Sequence, residues 1–157
     1  MGLKLFRRKQ HTEVTRPADT GAVDERYRTY FPRLFAYVRS CVGGEIPAED
    51  IVIQAFSRAF SHPDNADEDR FRTVLFRTAR RLCRPALKQP TFDRDDTLNT
   101  HEREILSLVF DAGLTREQIA QLFRIRESTV GTLLMTGLRK LKEQTSPAAA
   151  AAYLKLA

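Results

Sequence analysis

The chain has 157 residues, a formal net charge of +6 at pH 7 and a sequence isoelectric point of about 9.7. That length allows one domain or two small helical ones, and the excess of basic residues favours an anionic partner. The pattern excludes other classes, since no apolar run reaches the ~18 residues of a membrane helix, no secretory signal is visible, and Cys41 and Cys83 form neither a zinc motif nor a disulfide framework. We therefore expect a cytoplasmic protein with no membrane partner and two packed thiols.

Three helices are predicted in the first half of the chain, after a polar, basic tail at residues 1–22 that we expect to be disordered. Apolar and aromatic residues recur at helical spacing over about residues 24–42, which predicts a first helix kinked at Pro32. Pro47 marks the start of a second helix, whose inward stripe ends near Phe60.

A third helix is predicted over about residues 68–84, and it should end or kink at Pro85, which cannot continue the backbone hydrogen bonds. One face of this helix is apolar, and the other carries basic residues at helical spacing with Phe76 among them. The basic stripe consists of Arg77, Arg80, Arg81, Arg84 and Lys88. Such a stripe is typical of a nucleic-acid-binding surface, and a merely solvated face is the alternative.

The second half of the chain is predicted to form a separate unit. The first unit, residues 23–88, is followed by a polar linker at 89–99 that spans at most ~36–40 Å when fully extended. We expect this linker to be mobile. The second unit covers residues 100–143, with Gly113 capping its first helix, and an alanine-rich tail follows at 144–157.

The segment from 114 to 141 has the pattern of a helix-turn-helix, a motif whose second helix enters the DNA major groove. Thr115 and Gln118 form a capping-box pattern, and residues 124–126 supply the turn. We expect a positive φ at Arg124, where a turn glycine is common. The apolar stripe of the second helix consists of Val130, Leu134, Leu138 and Leu141. A plain helical hairpin is the alternative for this segment.

The sequence contains no strand pattern, phosphate-binding loop, metal cluster or nucleophile–base arrangement with recognisable spacing. We therefore predict an all-α fold of two small helical units joined by a short linker. The same observations predict no catalytic residue, no metal and no cofactor, so an enzyme is the least favoured class.

Two helical units, a linker and a helix-turn-helix, in this order, resemble a bacterial sigma factor of the extracytoplasmic-function type. AEDIV at 48–52 and FSRAF at 56–60 are similar to the family's polymerase-binding helix. FRTVLFRTAR at 71–80 is similar to its promoter-melting helix, and residues 106–141 resemble its domain for the minus-thirty-five element. The likeness covers about residues 27–142. It implies a sigma region 2-like three-helix unit and a sigma region 4-like helix-turn-helix unit.

The resemblance implies a factor that binds core RNA polymerase and directs promoter-specific transcription initiation by reading the minus-ten and minus-thirty-five elements of promoter DNA. It assigns polymerase binding to Asp50, Ile53, Gln54 and Arg58. It assigns the minus-ten element to Arg72, Phe76, Arg77, Arg80, Arg81 and Arg84. It assigns the minus-thirty-five element to Ser128, Thr129, Thr132, Thr136 and Arg139. Whether an anti-sigma factor also binds the chain stays open.

Several positions depart from the family pattern. Val74 replaces the usual tryptophan of the melting helix, and Ile53 replaces a polar residue of the polymerase-binding helix. In the recognition helix, Gly131, Leu133 and Thr136 stand where basic residues normally face DNA. These departures favour a second hypothesis, a sigma-like mimic that binds an anti-sigma factor or polymerase without reading promoters. An ordinary helix-turn-helix regulator would leave the first unit unexplained.

Overall fold

Six α-helices make up the part of the chain that a computed structural model describes, namely residues 20–43, 47–87 and 97–144. The helices are α1 (Thr20–Val42), α2 (Ala48–Phe60), α3 (Glu68–Leu87), α4 (Thr100–Phe110), α5 (Arg116–Phe123) and α6 (Glu127–Gln144). No strand occurs in these residues. The predicted all-α class is therefore confirmed.

The first three helices pack on one another because each carries a continuous apolar stripe. Leu34 and Val38 of α1, Val52 of α2, and Phe71 and Leu75 of α3 are fully buried where the stripes meet. Acidic residues in the first turns of α2 and α3 complement the positive end of each helix dipole. This packing holds α2 and α3 side by side, so that their outer faces form one continuous surface.

Side-chain caps fix the ends of the helices in the second unit. Asn99 and Glu102 form a capping box at the start of α4, and Thr115 and Gln118 form the predicted one at the start of α5. Each box pairs backbone N–H groups that the helix itself leaves without a partner. α5 ends at Phe123, and the φ of 57° at its C-cap residue, Arg124, confirms the left-handed conformation expected at this turn.

Close packing between α4 and α6 depends on Gly137. A Cβ atom at this position would lie 3.0 Å from Cδ1 of Leu106, so any larger residue would push against α4. Glu102 of α4 is buried and forms an ion pair with Lys140 of α6, with Nζ and Oε2 2.8 Å apart. Together these contacts fix the orientation of α6, the recognition helix of the helix-turn-helix.

The two units contact each other and share one apolar core. α1 packs against α4 and α3 packs against α5, and the buried Ile105 and Leu122 belong to the same cluster as the core of the first unit. Arg33 of α1 donates hydrogen bonds to the carbonyl oxygens of Ala112 and Gly113, at 2.6 and 2.8 Å. The expectation of separate modules is therefore wrong for this arrangement, because polar and apolar side chains far apart in sequence pair across the units.

Two helices extend beyond their predicted bounds. α1 begins at Thr20, within the segment predicted as a tail, and α3 continues past Pro85 to Leu87. Ala86, directly after the proline, is buried against the core, and this contact stabilises the last turn of α3. The predictions for the start of the chain, for Lys88, for most of the linker and for the alanine-rich tail lie outside the described residues.

Candidate nucleic-acid interface

Arginine side chains cluster on the face of α3 that points away from the core of the first unit. Arg77, Arg81 and Arg84 are exposed, and together with Arg124 they line a shallow cleft of about 250 Å³ between α3 and the end of α5. Phe123 contributes an apolar wall to this cleft. Within the described part of the chain, none of these four arginines forms an ion pair. The cleft therefore concentrates uncompensated positive charge, which suits phosphate groups.

Arg80 lies in the middle of the predicted basic stripe but faces the second unit. Its Nε and Nη2 atoms donate hydrogen bonds to Oε1 and Oε2 of Glu104, at 2.7 and 3.4 Å. Glu104 is only 3% exposed and also accepts a hydrogen bond from the Tyr37 hydroxyl, at 3.0 Å. The Arg80 guanidinium carbon lies 3.9 Å from the centre of the Phe123 ring, a cation–π contact. In this arrangement Arg80 joins the two units.

Tyr37 remains protonated and therefore stays a hydrogen-bond donor to Glu104. Burial, together with the neighbouring Cys41 and Glu104, raises the pKa of Tyr37 well above its usual range. Both cysteines are buried, which confirms the expected packed thiols. The pKa of Cys83 is raised, mainly by a hydrogen bond with Cys41 and secondly by burial. A thiol that keeps its proton is a poor nucleophile and a poor metal ligand, so Cys83 contributes packing rather than chemistry.

Phe76 lies in the core of the first unit and not on the basic face. Its side chain is 1% exposed, and its ring centre lies 6.5 Å from that of Tyr30 and 6.2 Å from that of Tyr37. The prediction that Phe76 stands among the arginines is therefore wrong. The reason is that Tyr30 and Tyr37 of α1 cover this side of α3, so its buried face is wider than a single apolar stripe. In this arrangement the ring cannot stack on a base.

Arg72 is also separated from the arginine cluster. It lies near the start of α3, half-buried, and its Nη2 atom pairs with Oδ1 of Asp69 at 2.6 Å. Of the six predicted minus-ten residues, the structure therefore groups Arg77, Arg81 and Arg84 on an open surface. Arg80 also lines this cleft, but its guanidinium pairs with Glu104, whereas Arg72 pairs with Asp69 away from it.

The polymerase-binding candidates all lie on the outer face of α2. Asp50, Gln54 and Arg58 are exposed, and Ile53 is 62% exposed although it is apolar. Three of these residues line an open cleft of about 640 Å³ between α2 and α3, whose α3 wall includes Arg81. A surface of this kind is accessible to a protein partner and adjoins the basic face directly.

The recognition helix α6 presents hydroxyl groups and little charge. Ser128, Thr129 and Thr132 are exposed at its start, but the Thr132 hydroxyl donates a hydrogen bond to the carbonyl oxygen of Ser128 at 3.0 Å. Its proton is thus used within the helix, which leaves it only as an acceptor toward DNA. Further along α6, Thr136 is half-buried, and Arg139 is exposed. Arg139 is therefore the main cationic contact that this set of residues offers.

Glu104 was not predicted as a functional residue, although it forms the ion pair that holds the Arg80 guanidinium. Nothing in the local pattern marks it, since a glutamate in a helix is ordinarily exposed. One signal was available. Glu104 precedes the buried Ile105 and lies one helical turn before the buried Leu108, so its position in the helix faces the core. A charged residue at a core position indicates a buried partner.

No group of His, Cys, Asp and Glu residues suited to a metal ion occurs in the described ranges. None of the helices seen there combines the length and the apolar character needed to cross a membrane.

Comparison with known families gives two matches. The family model for sigma-70 region 2 matches residues 26–91, and the model for sigma-70 region 4 matches residues 96–143. The first range contains most of α1 and all of α2 and α3, and the second contains α4, α5 and nearly all of α6. A comparison with curated protein sequences gives no match. The two matched ranges together take up more than two thirds of the chain, in the order in which the two units occur.

Proposed function

Since the chain belongs to the sigma-70 family, whose members act in promoter recognition, we propose that it is a sigma factor of the extracytoplasmic-function type. In this role it binds core RNA polymerase and directs initiation at promoters that carry its minus-ten and minus-thirty-five elements. The role is non-enzymatic and belongs to the cytoplasm, where polymerase and promoter DNA meet. The observation that carries the proposal is the presence of both regions, in order, in one chain.

The outer face of α2 is the proposed polymerase contact. Asp50 is exposed and can accept a charge-assisted hydrogen bond from a basic residue of the polymerase. Ile53 offers an exposed apolar surface beside it, and Gln54 and Arg58 add polar contacts along the same cleft. A mixed apolar and polar surface of this kind is typical of a protein–protein interface.

The proposed minus-ten surface is the arginine cluster of α3. Arg77, Arg81 and Arg84 can neutralise DNA phosphates. Such contacts supply the part of the affinity for DNA that does not depend on its sequence. The proposed minus-thirty-five surface is the exposed side of α6, where hydroxyl groups and Arg139 contact DNA. Since hydroxyl groups discriminate bases weakly, we expect the minus-thirty-five contribution to specificity to be small.

A specific observation favours the sigma-like mimic as the second candidate. Met135 of α6 is 66% exposed and lies with Leu138 beside an open cleft of about 480 Å³, on the helix that should face DNA. An exposed apolar patch suits a protein partner better than a phosphate backbone. In that case the chain binds an anti-sigma factor or polymerase but reads no promoter.

The test is in vitro transcription with purified core polymerase and a pool of genomic fragments. The proposed function predicts specific initiation at a restricted set of promoters that core polymerase alone does not use. The mimic predicts retention on immobilised core polymerase or on an anti-sigma factor without any specific transcript. Failure of both retention and transcription would overturn both candidates.

A further inference from the structure

We propose that the alanine segment, residues 145–157, folds back on α6 as a short helix and covers an apolar stripe that lies beside the DNA-facing residues of α6. The segment then limits the access of duplex DNA to α6. The docking is argued from α6 and from the sequence that follows it. Its effect on DNA rests on the proposed function, since it concerns the minus-thirty-five surface.

One side of α6 carries an apolar stripe that is open to solvent. Met135 and Leu138 are three residues apart and therefore lie on one side of the helix, where they line the cleft of about 480 Å³ together with Arg139 and Lys142. Met135 is 66% exposed, the highest value among the large apolar side chains of the described residues. Covering this stripe removes apolar surface from water, so a further segment can pack there favourably.

The alanine segment has the sequence of a helix that needs a partner. Ser146 and Pro147 match the residues preferred at the N-cap and at the first position of a helix, and five alanines, the strongest helix formers, follow. Tyr153 and Leu156 come next at a spacing of three, which places them on one side of such a helix. Because a helix of about ten residues is marginal in water by itself, it forms stably only when its apolar side is packed.

The spacing of the apolar residues is the same in the two helices. With a rise of ~1.5 Å per residue, Leu138 and Met135 lie ~9 and ~14 Å before the end of α6. Tyr153 and Leu156 lie at the same two distances from the start of the new helix. A loop of two residues at 145–146 is long enough to join two antiparallel helices. In such a hairpin Tyr153 comes beside Leu138. By the same count Leu156 comes beside Met135.

Charge and side-chain size agree with this register. It places alanines beside Lys142 and Arg139, and their small side chains let the two helix axes approach closely. Tyr153 comes within reach of the Arg139 guanidinium, with which its ring can form a cation–π contact. Lys155 is the only charged residue of the alanine segment, and it lies away from the side that Tyr153 and Leu156 share. It is therefore not forced against the two cations of α6.

The docked helix lies next to the residues that α6 offers to DNA. Thr132 precedes Met135 by three residues and Arg139 follows it by four, so all three lie on one exposed side of α6. With its side chains a helix is ~10–12 Å wide. A second helix over Met135 therefore fills the space through which a phosphate backbone would approach Arg139. Duplex DNA and the alanine segment thus compete for α6.

The covalent connection makes weak contacts sufficient for this competition. A short linker holds a tethered segment at an effective concentration of about 1 mM. If the separate peptide bound α6 with a dissociation constant of ~0.1 mM, the tethered segment would be docked in about nine molecules of ten. The apparent affinity of α6 for DNA would then be about tenfold lower than that of the uncovered helix.

The first test measures hydrogen exchange of the alanine segment in the whole chain. Its backbone amides should exchange at least tenfold more slowly than those of a separate peptide of residues 145–157, because the docked helix is packed. Met135→Asp places a charge under the docked helix and should remove this protection. Phe110→Asp, at an equally exposed apolar side chain at the end of α4, is the matched control and should keep it.

Three results of this experiment would overturn the proposal. The first is exchange at the rate of the separate peptide in the wild-type chain, which would leave the stripe to a protein partner. The second is protection that survives Met135→Asp or is also lost in Phe110→Asp. The third is protection that disappears on dilution, which would assign the stripe to a second copy of the chain.

The second test isolates the effect on DNA with two identical substitutions in the alanine segment. Leu156→Gln removes an apolar contact from the side that faces α6, whereas Leu154→Gln makes the same change about 100° from Tyr153 around the helix. Neither substitution changes the net charge, so the electrostatic attraction to DNA is the same in both. Leu156→Gln should bind a duplex with the upstream element of a transcribed promoter about three- to tenfold more tightly than Leu154→Gln, as measured by fluorescence anisotropy.

Equal affinities of these two variants for the duplex would overturn the proposed shielding. If the wild type and both variants fail to bind duplex DNA, with core polymerase as well as without it, the proposed function fails instead. The exchange experiment still decides in that case whether the alanine segment docks on α6. The two failures are therefore distinguishable.

Discussion

Glu102 and Glu104 lie on the same helix, both buried and both paired with a cation, yet the two pairs do different things. Glu102 pairs with Lys140 inside the second unit, whereas Glu104 pairs with Arg80 across the units. A buried ion pair adds little net stability compared with apolar residues of similar volume. Removing one of its two charges is strongly destabilising, because the other charge stays buried without a partner. The pairs therefore act mainly by selecting one packing of α4 over others.

The titration of Glu102 gives a pH prediction. A hydrogen bond from Lys140 lowers the pKa of Glu102, against the opposing effect of burial and with help from the Asn99 backbone N–H. Because the folded pKa lies below the unfolded value of ~4.3, this contribution to stability is complete above that pH and is lost as pH falls through the folded pKa. Urea denaturation between pH 3 and 7 should therefore show a weaker loss of stability at acid pH in Glu102→Gln than in the wild type. Parallel acid limbs in the two proteins would contradict this prediction.

At the scale of the helix, the outer face of α2 can be tested for polymerase binding. Asp50→Ala combined with Ile53→Asp removes an acceptor and places a charge on the exposed apolar contact. Neither side chain supports the core, so circular dichroism should not change, while retention on immobilised core polymerase should be lost. Phe110→Asp, at a side chain of nearly equal exposure at the end of α4, is the matched control and should be retained. Undiminished retention of the α2 variant would assign the interface to another surface.

The arginine cluster of α3 can be tested through the salt dependence of DNA binding. Arg77→Ala with Arg81→Ala removes two exposed cations, and each lost phosphate contact on single-stranded DNA should reduce the slope of log affinity against log salt by about 0.7. The expected change is about 1.4, measured by fluorescence anisotropy across a salt series. Arg28→Ala with Arg39→Ala, on exposed positions of α1, carries the same charge change and should keep the wild-type slope. Phe76→Ala is unsuitable for this experiment because its ring is part of the core.

The two glycines of α6 should respond differently to alanine. Gly131 has open space around it, apart from one Arg116 atom at 3.6 Å, so Gly131→Ala should raise the free energy of unfolding by up to ~1 kcal/mol. Gly137→Ala should not give this gain, because its methyl group would lie 3.0 Å from Leu106. Urea denaturation of both variants measures the difference. If Gly137→Ala stabilises as much as Gly131→Ala, the approach of α6 to α4 is looser than the distance indicates.

At the scale of the whole molecule, the helices could be predicted from the sequence because their signals are local. Apolar spacing, the Thr115–Gln118 box and the turn at Arg124 each depend on residues within a few positions of one another. The pairing of Arg80 with Glu104 joins residues that local spacing does not relate. The burial of Phe76 depends likewise on Tyr30 and Tyr37 of α1, which cover the side of α3 beside its main apolar stripe. The helices could thus be predicted, whereas it could not be predicted which side chains of α3 remain free to contact DNA.

The strength of the contact between the units can be measured after the chain is cut. A site-specific protease sequence inserted after Pro90 would divide the protein between its two units, and we expect the fragments to elute together in gel filtration at high micromolar concentration. The shared core and the Arg80–Glu104 pair are the reason for this association. Separate elution would mean that only the covalent linker keeps the units near each other.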